Sequence, residues 1–451
     1  MGQLLIDWAT QGGEAVASLQ RLIRCDTTNP PGNELPLVQQ LVGLLEQEGI
    51  EARAFESESL RGNLVARLRG NGSERPLLLL SHLDVVPAEP SQWSHPPFAA
   101  EIANGMVYGR GAIDSKLTTA VEMQVLLMCK RLGLPLKRDL VLVAAADEEM
   151  GATYGVRWLA DNYPEVFDAE YGINEAGGFA VLVDGRPLYT CQIGEKGGGA
   201  LDLVAHGRPG HSSVPHEDNA LFHLGEILKR LAAAKMPHRV TASARAFFQA
   251  AAAAQRRPEV GELLLQVLDP ECCDAALAQL PVNEPTRLMF DAMVRNTCAP
   301  TLLKAGVKRN VIPSTATAML SGRTLPGVTE EEFISEVRGL VGDEVEFRLD
   351  SFASGREEPH ETPLFEALVA GMAKYDPDGI VVPYMVTGGT DVRWLEAFDA
   401  KIYGFIPLRY EEGMDFFDLC HGHDERVSTA NVELGVQVLF DAVCRLNDIE
   451  A

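Results

Sequence analysis

The chain has 451 residues, 46% of them hydrophobic and 23% charged, with 41 Gly and 26 Pro; that is the make-up of an ordinary globular protein of about two to four domains. Its 64 acidic side chains outnumber the 39 basic ones, for a formal charge of −25. Such a surface argues against nucleic acid or anionic membrane as a main partner and leaves many carboxylates to hold cations.

The first residues, "MGQLLIDWATQGG", lack a basic segment and carry Asp7, which makes a poor secretory signal. No apolar run approaches membrane-spanning length, so a cytoplasmic protein is expected. The spacing of "LPLVQQLVGLLEQEG" (35–49) predicts a helix. "NLVARLRG" (63–70) and "RPLLLLSHLD" (75–84) read as strands, "LTTAVEMQVLLMCKRLG" (117–133) as a helix and "DLVLVAAA" (139–146) as a buried strand. This alternation predicts an α/β fold of three layers on a mostly parallel sheet, a sheet type whose ligands gather at the carboxyl ends of the strands. "GEKGGG" (194–199) reads as a flexible joint. Beyond it lie an Ala-rich helical stretch (245–254), the Thr-capped "TEEEFISEVRGLV" (329–341) and the alternating strand "EVEFRLDSF" (344–352). The expected division is a catalytic domain in two parts, 1–195 and 353–451, with an inserted α+β lid and dimerisation domain over 196–352.

Polar residues cluster where the strands should end. "SHLDVVP" offers His82 and Asp84, "GRGAIDSK" Asp114, "DEEMG" Glu148 and Glu149, "NEAGG" Glu175 and "HGHDERV" His421. Taken singly, each is a turn residue or a satisfied polar group. Together they make a mixed nitrogen and oxygen donor set suited to zinc or a similar divalent ion, with softer metals disfavoured by the lack of cysteine. In His82-x-Asp84 the aspartate can reach back to the free ring nitrogen of the histidine. The eight cysteines form no C-x-x-C pair and no disulfide framework; Cys129 and Cys444, in apolar helical patterns, read as buried free thiols.

In order and spacing these five pieces resemble the dizinc aminoacylase / carboxypeptidase G / succinyl-diaminopimelate desuccinylase superfamily over nearly the whole chain. The stretch "QWSHPPFAAEIANGMVYGRGAIDSK" (92–116) resembles most the branch of yeast carboxypeptidase S and the N-acyl amino acid hydrolases, which tends to carry extra helical sequence in the lid, here 245–298. The resemblance implies two divalent ions, zinc first, with cobalt and manganese fitting the same donors. Asp114 would bridge them, His82 and Glu175 would complete one position, and Glu149 and His421 the other. Asp84 would orient His82 and Glu148 would act as general base, leaving Asp147 in a solvated or capping position. "GRPGHSSVPHEDNA" (207–220) matches the lid motif at His211, which acts across a dimer in relatives. "RNVIPSTATAMLSGRTLPG" (309–327) matches the stretch whose Asn310 and Arg323 would hold a substrate carboxylate. In "TGGTDVR" (387–393), Gly388, Gly389 and Thr390 would offer backbone N–H groups, while Asp391 and Arg393 could pair with each other. Ala176 stands where Gly is more usual.

The implied activity is hydrolysis of the amide of an N-acyl amino acid, or of a small peptide with a free carboxylate, by a homodimer. A dipeptidase or aminopeptidase of the same superfamily is the alternative enzyme, and an inactive metal-binding scaffold the non-enzymatic one. "GHSSVP" lacks the G-x-S-x-G pattern, so a serine hydrolase is not supported.

Overall fold

The computed structural model describes residues 5–450. Its larger sheet is built on four parallel strands, in the spatial order Leu140–Ala145, Leu77–His82, Tyr171–Asn174 and Lys401–Gly404. Arg61–Leu68 and Glu51–Glu58 extend one side antiparallel; on the other, Arg186–Glu195 meets Lys401–Gly404 antiparallel and pairs in turn with Ile380–Val386. Side chains of a strand alternate between faces, and here the alternation separates two cores. Leu77, Leu79, Leu140 and Leu142 join the core beneath the helices Trp8–Arg24, Lys116–Arg131 and Thr429–Arg445, while Leu78, Leu80, Val141 and Val143 pack with Val156, Leu159 and Phe167. The sheet is therefore the middle of three layers, as the continuous apolar strands require. The mostly parallel character expected from the sequence holds at its centre; the flanking strands are antiparallel.

A second, four-stranded antiparallel sheet has the order Thr297–Ala305, Thr315–Thr324, Gly197–His206, Glu346–Leu349. The helix Glu330–Val341 packs on it and starts with a capping box in which Thr329 and Glu332 satisfy each other's backbone N–H groups.

"GEKGGG" is not a flexible joint. Arg186–Glu195 runs directly into Gly197–His206, and both Glu195 and Lys196 are buried. Lys196 Nζ donates to Arg295 O at 2.7 Å. The glycines serve close packing of backbones: a Cβ on Gly199 would stand 1.7 Å from Ser351 O.

The extra helical segment forms Ala242–Ala253, Pro258–Gln266, Cys273–Gln279 and Glu284–Met293. Phe247, Phe248 and Phe290 stack edge to face, and the Phe247 ring lies 6.2 Å from that of Tyr384. Val382, Tyr384 and Met385 of the larger sheet share this core. The segment is thus packed against both sheets rather than confined to the smaller one.

Candidate metal centre

The carboxyl ends of the parallel strands surround a cavity of about 480 Å³ lined by Asp114, Glu148, Glu149, Glu175, Arg323, Gly389, Thr390 and His421. His82 ends its strand directly behind it.

Asp114 stands between the two histidines. Its Oδ1 is 3.1 Å from His82 Nε2, and its Oδ2 is 3.0 Å from His421 Nε2. Glu175 Oε2 lies 3.0 Å from His82 Nε2, and Glu149 Oε2 lies 3.3 Å from His421 Nε2. All five sequence-predicted ligands therefore meet in one place. His82 Nδ1 is 2.9 Å from Asp84 O; a carbonyl only accepts, so Nδ1 carries a proton and Nε2 turns its lone pair to the carboxylates unless the ring is charged.

Burial opposes charge on His82, yet Glu175, Asp114 and Asp84 together hold its pKa well above the usual histidine range. Burial would raise Asp114, but the hydrogen bonds of His421 and His82 pull it down. Glu148 is pushed well up, first by burial and then by the charge of Glu175. Burial also raises Asp391. So many enclosed carboxylates around two imidazoles require positive charge. Glu149 Oε1 is buried without a hydrogen-bond partner among the described residues. The donor chemistry and that orphaned oxygen fit divalent cations.

Asp84 does more than orient His82. It is wholly buried, and its carboxylate accepts from the backbone N–H groups of Glu148 and Glu149 at 3.1 and 3.2 Å. It thereby holds the turn Glu148–Met150 that presents both glutamates. Asp147 is not solvated and makes no side-chain cap of that turn. It is 2% exposed, ion-paired with Arg61 at 3.0 Å, and accepts from Asn29 Nδ2 and Tyr154 N. A carboxylate at a buried strand end needs such partners, and the sequence alone did not reveal them.

The loop bearing Asp114 is fixed from the far end of the chain. Glu425, fully buried, accepts from the N–H groups of Gly111, Ile113 and Asp114 and from Arg110 Nη1 at 2.7–3.1 Å. Cys420, given no role on sequence grounds, places Sγ 3.0 Å from Asp114 Oδ2; the donor set is not free of cysteine.

Arg323 lines the cavity, while His211 and Asn310 do not. They sit together elsewhere: His211 pairs with Val311 in a short ladder, and Ser212 N donates to Asn310 O at 3.2 Å. Thr390 uses both its N–H and its hydroxyl on Glu195 Oε2, each at 2.8 Å, so its N–H is not offered to the cavity. Arg393 donates through Nε to Thr390 O, and no Asp391–Arg393 ion pair forms among the described residues.

The model of peptidase family M20/M25/M40 matches residues 78–445. The chain belongs to this family. A Xenopus tropicalis N-fatty-acyl-amino acid synthase/hydrolase PM20D1 is 30% identical over 379 residues, 82% of this chain and 72% of the relative. The probable carboxypeptidase S-like 2 of Dictyostelium discoideum is 27% identical over 402 residues, again 82% and 72%. In fold, the M20 family metallo-carboxypeptidase Sso-CP2 from Sulfolobus solfataricus superposes with a TM-score of 0.69 at 20% identity, over 95% of this chain and 98% of that one. The M20/M25/M40 peptidase described here is a metal-dependent hydrolase of amide bonds on the carboxypeptidase S-like branch. Among its described residues no helix is long and apolar enough to cross a membrane.

Proposed function

We propose that this peptidase holds two divalent ions, zinc first, and hydrolyses N-acyl amino acids or small peptides with a free carboxylate as a cytoplasmic homodimer. The carrying observation is the position of Asp114, with one oxygen on each histidine and a glutamate against each ring. Bound there, the ions would supply Lewis acidity and bring a water within reach of ionisation near neutral pH.

The chain's own residues divide the remaining work. Arg323 has no ion pair among the described residues; its planar guanidinium suits a substrate carboxylate. Glu148 lines the cavity, and its carboxylate has no hydrogen bond or ion pair among the described residues. It takes the proton of the attacking water and returns it to the leaving amine. Ser213 N–H donates to His211 Nδ1 at 3.2 Å, so in the neutral ring the proton sits on Nε2, ready to stabilise an oxyanion. His211 and Asn310 lie outside the cavity of their own chain, which supports their action in a neighbour's. Leu302 and Leu303 on the edge strand Thr297–Ala305, and Leu221 and Phe222 on the helix Ala220–Ala233, are each exposed, and apolar side chains at an open sheet edge support pairing with a second copy. We place the lid over 196–352, between catalytic parts 1–195 and 353–451. The eight cysteines are free thiols, which supports a reducing compartment.

The test is turnover of a panel of N-acyl amino acids and free-amine dipeptides, with and without chelator, alongside metal content. Chelator-sensitive release of an amino acid from the acylated substrates is expected. Turnover indifferent to chelator would overturn the proposal, and preference for free-amine dipeptides would favour the dipeptidase reading.

A further inference from the structure

The two positions around Asp114 are not alike. On one side the donors are His82, Asp114 and Glu175, all nitrogen and oxygen. On the other, Asp114, Cys420 and His421 each bring a donor atom within 4.8 Å of the others. Cys420 Sγ and His421 Nε2 both lie 3.0 Å from the same oxygen, Asp114 Oδ2.

The backbone arranges this. The short helix Phe416–Leu419 ends at Cys420, whose N–H closes on Phe416 O, and Gly422 N–H then closes on Leu419 O. A Cβ on Gly422 would stand 2.2 Å from Asp418 O, so only glycine allows the turn to be this tight. His421 has a φ of 61°. Consecutive side chains of an extended segment point apart; the left-handed residue brings the ring to the side where the thiol already lies. An independent sign of a cation on this side is Glu149, whose side chain is 7% exposed and whose Oε1 has no partner.

We propose that Cys420 is a sulfur ligand of this second metal position, so that the two ions occupy chemically unequal sites. The inference rests on the two-metal reading above. Cysteine, histidine and carboxylate form a zinc-type set, and the sulfur biases the position towards zinc, cobalt or cadmium and against manganese. The thiol proton passes to solvent as sulfur binds. The nitrogen and oxygen position keeps no such bias.

The test uses the full chain loaded with cobalt(II), metal content being measured on the same sample. Wild-type protein with two ions per chain should show a near-ultraviolet thiolate-to-cobalt charge-transfer band, and Cys420→Ser should lose it. In wild-type protein, metal should slow iodoacetamide labelling of Cys420, read by peptide mass, at least tenfold; this arm needs no variant. Two bound ions with no band and unchanged labelling would overturn the sulfur ligand alone. Fewer than two ions in the wild type would overturn the two-metal reading, and this inference with it.

Discussion

Asn29 Nδ2 lies 2.8 Å from Asp84 Oδ2, and the same nitrogen lies 2.9 Å from Asp147 Oδ1. One amide thus ties the carboxylate that holds the Glu148–Met150 turn to the carboxylate that anchors the strand end on Arg61. Hydrogen bonds to charged groups are worth about 1.5–3 kcal/mol each. Asn29→Ala is expected to cost about 3 kcal/mol of stability, by urea unfolding, and to weaken metal binding about 10–100-fold. Unchanged metal affinity would show that this support does not reach the ligands.

Adjacent glutamates should fail in different ways. Glu148→Gln is expected to keep both metals and lose about 10²–10⁴ in turnover. Glu149→Gln should lose metal from one position. Metal analysis beside initial rates separates the two, and a Glu148→Gln protein with full turnover would remove that residue from the role of base.

Ala176 follows the proposed ligand Glu175 and has a φ of 65°. A left-handed alanine costs about 1–2 kcal/mol, part of which glycine returns as unfolded-state entropy. Ala176→Gly should therefore raise stability by about 0.5–1 kcal/mol with turnover intact. A drop in the unfolding midpoint would contradict this.

Burial, helped by the nearby charge of Arg323, lowers the Lys196 amine from 10.5 to about 7. Between those values the unfolded chain binds the proton and the folded chain does not, so stability rises with pH across the window. It is fully present above 10.5 and lost as pH falls through about 7. One proton gives a slope of at most about 1.4 kcal/mol per pH unit. Unfolding free energies of Lys196→Met and wild type, compared from pH 7 to 9.5, should differ by that slope; parallel curves would refute it.

If His211 acts across a dimer, two inactive variants should restore each other. Mixing His211→Ala with Glu148→Gln is expected to recover up to about a quarter of wild-type turnover, the share of intact sites in randomly mixed isologous dimers. A mixture as inactive as its parts would place His211 in its own chain's site or outside the chemistry.

The donors were legible because each sits at the end of an apolar run with a recognisable neighbour, as in "SHLD" and "DEEMG". Their supports were not. Asn29, Arg61 and Glu425 come from segments 55 to 315 residues distant in chain from the groups they hold here, and no local period marks such pairs. Asp147 looked solvated because its partners lie on other elements. Glycine density in "GEKGGG" suggested freedom where the structure uses it for contact between backbones. Cys420 was weighed only as part of a composition, since spacing does not show that two consecutive side chains share an oxygen.

The Glu425 carboxylate also sets an order of events during synthesis. Asp114 and its loop leave the ribosome long before residues 420–425, which supply His421 and the acceptor for three N–H groups of that loop. A nascent chain stopped anywhere earlier carries an unclosed loop and lacks His421 and Cys420. The proposed metal centre is therefore a seal set late on the chain, and a product truncated before residue 421 lacks both the second histidine and the carboxylate that closes the Asp114 loop.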